Sequence, residues 1–316
     1  MRKIVFIALL ATVFVSPFVG YRFINPLKLN PYDARILLDL RIPRVLLALA
    51  EGALLGASGA LFQTVLRNPL ADGFTVGVAS SSALGAALAI SLGLGSGTVT
   101  LTAFLFGLAG LWLVYRLSER NGVVEPLLMI LAGIAINILA SSLISLTKFL
   151  FEESVLSVVF WLMGGIRPLK WSSLLVILAV SAMLILLSIK NAYRLNLLAL
   201  DEASAISLGL DTSKTRKRIF ILATLMVAVS VSVSGIIAFV GLIVPHMARW
   251  LSGADARKTL ILSSLGGAWL LAVSDTLSRS LLIQGSEVPV GVITSSLGGG
   301  FFLFLLFRAK RGVWYG

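Results

Sequence analysis

The chain has 316 residues, 58% of them hydrophobic and only 13% charged, at a mean hydropathy of +1.00, whereas a soluble domain carries roughly 25% charged residues. A net charge of +12 would suit nucleic acid in a soluble protein, but here Lys and Arg occupy short loops between apolar runs long enough to cross a bilayer as helix. Composition therefore excludes a water-soluble fold and a nucleic-acid partner; the absence of Cys excludes a disulfide framework or thiolate chemistry, and the single His246 cannot build a His-rich metal site.

In chain order, the apolar runs predict spans at Ile4 to Val19, Pro43 to Leu66, Phe74 to Leu94, Val99 to Leu117, Pro126 to Leu146, Trp171 to Ile189, Ile219 to Gly235, Ile236 to Ala248, Thr259 to Ile283 and Pro289 to Phe307. The whole chain, 1–316, then reads as one all-α polytopic domain of ten transmembrane helices. The basic start at Arg2 and Lys3 could introduce a cleaved signal peptide, but no clear small-x-small site follows, so this run is taken as the first span.

Orientation follows from the loops. Arg2, Lys3, Arg67, Arg116, Arg120, Lys190, Arg194, Lys214, Arg216, Lys217, Arg218, Arg249, Arg257, Lys258, Arg308, Lys310 and Arg311 all fit a cytoplasmic side, which is 17 of the 26 basic residues. Both termini then lie in the cytoplasm. The 30 residues between Arg218 and Arg249 reach only about 45 Å as helix, so they must cross twice with at least one short leg, turning near Ser234-Gly235 and breaking at Pro245. Pro69 follows Ser58-Gly59, and Pro245 follows Ser234-Gly235, each ten residues after the Gly, in spans of opposite direction. That is the pattern of a weak inverted repeat.

The second span carries small residues at Ala48, Gly52, Gly56 and Ala60, with Gly59 beside them, a face that lets another helix approach closely. Gln63 follows on the same side. Pro69 then lacks an N–H and pushes Asn68 out of the helical region, which predicts a helix break at Arg67-Asn68-Pro69. Glu51 lies two turns below Arg44, and Asp275 lies four residues before Arg279. Carboxylates at membrane depth are candidates for an ion or proton relay, or simply for neutralisation by the neighbouring Arg.

Between Leu195 and about residue 213 the apolar runs stop. Asp201 can cap a two-turn helix carrying Glu202 in its first turn and ending at Gly209. Such a helix either rests on lipid headgroups or forms a knob for a cytoplasmic partner. The segment from Gly209 to Thr215 is not a phosphate loop, since Ser213 stands where a Gly must precede the Lys and no strand leads into it. Any ATP must be used by another chain.

Arg41-Ile-Pro-Arg44, Gly52 through Ser58-Gly59-Ala60 to Gln63, Arg67-Asn-Pro-Leu-Ala71, Ala199-Leu-Asp-Glu-Ala to Leu208-Gly209, Gly241-Leu-Ile-Val-Pro-His246 with Arg249, Asp275 with Arg279, and Pro289-Val-Gly291 together resemble the FecCD family. The match runs in order over nearly the whole chain from Arg41 to Phe307. These are permease subunits of ABC importers for iron-siderophores, haem and cobalamin, with some relatives carrying oxyanions such as molybdate.

The resemblance implies a homodimer of ten-span subunits in a prokaryotic inner membrane, with the path at the dimer interface. It further implies two ATPase subunits that consume ATP and Mg, an extracytoplasmic substrate-binding protein, and no catalytic site or bound cofactor in this chain. Ala199, Leu200, Asp201, Glu202, Ala203, Ala205, Leu208 and Gly209 match the family's coupling helix, which decides the knob in favour of a partner. Arg41, Arg44 and Arg279 match its outward docking residues for acidic groups of the binding protein.

Glu51 departs from the family's apolar or small residue and could pair with Arg44. Asp72-Gly73 replaces Asp-Pro, loosening the break by one fixed φ angle. The path is expected to be lined by plain side chains such as Ser141, Thr147 or Ser295, and His246 to be a loop residue near headgroups. The competing reading is an ion-coupled secondary transporter using Glu51 and Asp275.

Overall fold

The computed structural model describes residues 10–20, 22–120, 123–253, 255–282 and 287–310. Expectations about Arg2, Lys3, residues 4–9, Ile283, Arg311 and the two termini fall outside these residues.

Asn30 opens the first labelled helix by accepting the Asp33 amide at 2.7 Å, with Pro31 at the position where no N–H is needed. This helix, α1 (Pro31–Ile36), passes through a wide turn at Leu37–Arg41 into α2 (Ile42–Val65), forming one rod of 35 residues. Then come α3 (Val78–Ser91), α4 (Ser96–Ser118), a two-stranded hairpin of β1 (Glu119–Arg120) and β2 (Val123–Val124), α5 (Pro126–Leu150), α6 (Val155–Leu162) and α7 (Trp171–Lys190). Two short helices, α8 (Ala192–Leu198) and α9 (Glu202–Ser207), precede α10 (Thr212–Ser234), α11 (Val240–Ser252), α12 (Ala256–Ser278) and α13 (Val290–Lys310). Asp211 and Asp255 cap α10 and α12 by accepting the Lys214 and Arg257 amides at 2.9 Å each.

Among the described residues, seven helices are long and apolar enough to span a membrane: the α1–α2 rod, α4, α5, α7, α10, α12 and α13. The remaining expected spans correspond to shorter helices, α3 and α11, and to helical residues at 10–15.

Helix α2 is the axis of the molecule. Its apolar window is 83% buried, against 22–33% for α4, α5, α7 and α13 at the periphery. It packs on α7, α10, α11 and α12, while α3 packs on α4, α5 and α10. The small-residue face of α2 makes this possible: a Cβ on Gly52 would strike the carbonyl of Gly267, one on Gly56 that of Ser263, and one on Gly59 that of Gly241. Backbone thus meets backbone at three levels. Outward faces carry large apolar side chains, among them Leu131, Ile138 and Phe149 of α5, as lipid or a neighbouring subunit requires.

The structure departs from three expectations drawn from the sequence. Helix α11 runs through Pro245 without breaking; the interruption falls earlier, at 235–239, where Gly235 (φ 73°) and Phe239 (φ 69°) take positive φ. Proline leaves the Gly241 carbonyl without its helical donor, and Gln63 of α2 supplies one instead, its Nε2 lying 3.3 Å away. The two Ser-Gly…Pro segments are not equivalent, since Ser58-Gly59 sits inside α2 and Ser234-Gly235 at the end of α10. His246 lies within α11, its ring edge-on to Trp250 at 5.0 Å and to Phe301 at 5.9 Å.

Candidate functional site

Two clusters stand at opposite ends of α2. At its N-terminal end, Asp275 of α12 is completely buried between two guanidinium groups: Arg44 Nε donates to its Oδ1 at 2.8 Å, and Arg279 Nε lies 3.1 Å from its Oδ2. Arg44 Nη1 also pairs with Glu287 at 2.8 Å. Arg279 donates to the Ser16 hydroxyl at 3.1 Å and Arg41 to the carbonyls of Arg22 at 2.7 Å and Pro17 at 3.1 Å. Carbonyl acceptors and carboxylates therefore satisfy charges that would be costly at this depth. All three arginines, with Arg22 and Glu287, line a cavity of about 410 Å³.

The structure brings Arg41, Arg44, Arg279 and Asp275 together, whereas the sequence paired Asp275 with Arg279 alone and offered Glu51 to Arg44; the three arginines, expected to face outward, are buried residues engaged within the chain. Glu51 does not join them. Fully buried in α2, it accepts from the Ser234 hydroxyl at 2.7 Å, and its second oxygen has no hydrogen-bond partner among the described residues. Arg44 is its neighbour in sequence, yet pairs elsewhere. Ser234 also borders a cavity of about 970 Å³ between the ends of α3, α4, α6 and α7, lined by Trp161 and Arg167. Glu287, which sequence reasoning passed over, could have been noticed as the first carboxylate after Arg279 in the sequence.

At the C-terminal end of α2 stands the short helix α9. Asp201 caps it by accepting the Ser204 amide at 2.9 Å, and Gly209, at φ 82°, closes it as Leu210 N–H reaches the Ala205 carbonyl at 3.1 Å. Hydrogen bonding from Ser204 holds the Asp201 carboxyl below its ordinary value. Ala199, Leu200, Asp201, Ala203, Leu208 and Gly209 are exposed, whereas Ala205 is buried among Leu195, Leu198 and Leu210. Ala205 therefore belongs to the anchor of the knob and not to its surface. The outer side presents Leu200, Ile206 and Leu208, the last two 57% and 60% exposed.

The knob is held from beneath by a residue the sequence reading counted only for topology. Arg216, 1% exposed, lies 3.7 Å from Glu202 and donates to the Val124 carbonyl at 2.9 Å. Thr212 donates to the other Glu202 oxygen at 3.0 Å. Glu202 is consequently half-buried and turned inward. Asn68 and Pro69 follow the end of α2, the Asn68 side chain accepting the Leu70 amide at 2.9 Å. Of the expected path residues, Ser141 is exposed, Ser295 half-buried, and Thr147 buried with its hydroxyl on the Leu143 carbonyl.

A bundle of long apolar helices around a small-residue axis, with an ion-pair cluster at one end and an apolar knob at the other, is the architecture of a multi-pass membrane protein. The family model of the FecCD transport family matches residues 4–308, and the chain belongs to that family. It is 35% identical to the molybdate import system permease protein MolB of Haemophilus influenzae, over 90% of this chain and 85% of that one. It is 36% identical to the hemin transport system permease protein HmuU of Yersinia pestis (87% and 84%). It is also 36% identical to the ferric dicitrate transport system permease protein FecD of Escherichia coli (87% and 86%). Among solved structures it is similar to a chain in an inward-facing conformation, assigned to the metal-chelate type of ABC transporter, with TM-score 0.89, 34% identity and coverage of 98% of this chain and 100% of that one.

Proposed function

We propose that the chain is the transmembrane permease subunit of an ATP-driven importer for a metal chelate. It works as a homodimer of ten-span subunits in the inner membrane of a prokaryote, with both termini cytoplasmic. Two ABC ATPase subunits hydrolyse Mg-ATP beneath it, and an extracytoplasmic binding protein delivers the cargo. The observation that carries this reading is the α9 knob, which presents Leu200, Ile206 and Leu208 beyond the end of the axis while Arg216 and Ala205 root it in the bundle. Apolar side chains projecting on a rigid mount suit insertion into a partner's cleft.

The cargo reading is an iron-siderophore first, with haem or cobalamin next; relatives named for hemin, ferric dicitrate and vitamin B12 support a cargo of that class. Docking is assigned to the cavity lined by Arg41, Arg44 and Arg279. An acidic side chain of the binding protein entering it would compete with Glu287 for Arg44. The ion-coupled alternative is weaker, because Asp275 is committed to Arg44 and Arg279, leaving Glu51 without its second relay residue.

The test is reconstitution in liposomes with the ATPase and binding protein, using a panel of metal chelates. Uptake that requires ATP and is abolished by Glu202→Lys or Leu208→Arg is expected. Uptake by the permease alone under a proton gradient would overturn the reading.

A further inference from the structure

Helix α2 ends in a tight motif in which the Asn68 amide donates to the Gln63 carbonyl at 3.2 Å and the Arg67 amide to the Thr64 carbonyl at 3.4 Å. The residue that turns the chain is left-handed in this motif, and glycine is its usual occupant because a Cβ is disfavoured there. Here it is Arg67, at φ 49°. Only one other non-glycine residue, Phe239, takes positive φ among those described. A side chain at such a position points to a use that outweighs the strain.

The guanidinium shows what that use is. Arg67 Nη2 donates to the Leu200 carbonyl at 2.7 Å, directly before the Asp201 cap of α9. The contact joins segments far apart in sequence, and Leu200 itself is one of the exposed apolar residues of the knob. At its other end α2 carries Arg44 in its first turn, inside the ion-pair cluster with Asp275 and Glu287. About 35 Å of helix separates the two arginines. Along that length the helix is locked to α12 and α11 by backbone contacts at Gly52, Gly56 and Gly59, so displacement at one end reaches the other without slack.

We propose that Arg67 is the positioning residue through which α2 and the knob move together, linking events at the Arg44 cluster to the ATPase partner. The inference rests on the importer reading and deepens it. Arg67 need not touch cargo or ATPase; it acts through Leu200.

The test uses the assembled complex with ATPase and binding protein, comparing wild type with Arg67→Gly and Arg67→Lys. Glycine relieves the backbone strain while removing the tether, so thermal stability should hold or rise. Basal ATPase activity should persist, and stimulation by the cargo-loaded binding protein should fall about fivefold or more. Lysine, which keeps a donor on a long stem, should recover at least part of the stimulation. Full stimulation in Arg67→Gly would overturn the proposal, as would a loss of stability that parallels the loss of stimulation, or a Lys variant no better than Gly. A wild-type complex without ATP-driven uptake would remove the importer reading itself, and this inference with it.

Discussion

Gln63 supplies the hydrogen bond that Pro245 withholds. Four residues before the proline, the Gly241 carbonyl would stand unpaired inside the bundle, and the Gln63 side chain reaches it from α2 at 3.3 Å, with the Leu242 carbonyl at 3.4 Å. Gln63→Leu should therefore cost about 1–3 kcal/mol, the penalty for a buried polar group left without a partner. Pro245→Ala restores an N–H to the helix, so the same Gln63 substitution should cost less in that background. Thermal and denaturant unfolding of the four proteins measures this, and strictly additive losses would refute the exchange.

Close packing at the axis makes a second expectation. Gly59→Ala would place a methyl group against the Gly241 carbonyl, a backbone atom that cannot rotate away, whereas the methyl of Gly95→Ala meets nothing within 4 Å. The first should lose about 1–3 kcal/mol or fail to fold, and the second should purify as wild type. Yield of monodisperse protein in detergent separates them.

Asp275 depends on both of its cations. Arg44→Ala leaves the buried carboxylate with Arg279 alone and should destabilise the chain by about 3–5 kcal/mol. In that background Asp275 has already lost one of its two partners, so Asp275→Asn should cost less there than it does in the wild-type chain. A double variant as unstable as the sum of its two parts would argue against the pair.

Beneath the knob, the same logic applies to Arg216 and Glu202, 3.7 Å apart. In a cycle of Arg216→Met, Glu202→Gln and the double variant, the two sites should be coupled by about 0.5–3 kcal/mol in unfolding free energy. Zero coupling would show that Arg216 is held by the Val124 carbonyl alone.

The Asp201 cap gives a pH dependence. Because hydrogen bonding from Ser204 depresses its folded-state value, its contribution is present above the ordinary carboxylate range and is lost as pH falls through the depressed value. The protection factor of the Ser204 amide, taken relative to intrinsic exchange at each pH, should fall on acidification below about pH 4. In Asp201→Asn that acid-dependent step should disappear.

What the sequence made legible was whatever hydropathy and local capping decide. The spans beginning at Pro43, Pro126 and Trp171, the Asp201 cap, the Gly209 terminus and the end of α2 near Asn68 all follow from properties of neighbouring residues. The rest depends on partners distant in the chain. Pro245 obeys the local rule for a helix breaker, and only Gln63, on another helix, explains why it does not act as one. Arg41 and Arg279 look like outward charges until the carbonyls of residues 16–22 are brought against them. Ala205 lies within α9 and Leu208 just past its end, yet one faces the core and the other the outside, a distinction set by where Leu195, Leu198 and Leu210 lie. Glu287 stands near Arg279 in sequence, which is a local signal, but its partner Arg44 lies near the other end of the chain and no local pattern pairs the two.

The three glycine contacts at Gly52, Gly56 and Gly59 carry a kinematic consequence. Surfaces that meet through side chains can slide by exchanging rotamers, but surfaces that meet carbonyl to Cα have no such lubricant. Helices α2, α11 and α12 therefore form a keel whose internal distances stay fixed. The keel thus moves as one body relative to the helices hung around it, and spin-label distances should vary between keel and periphery while those within it hold constant.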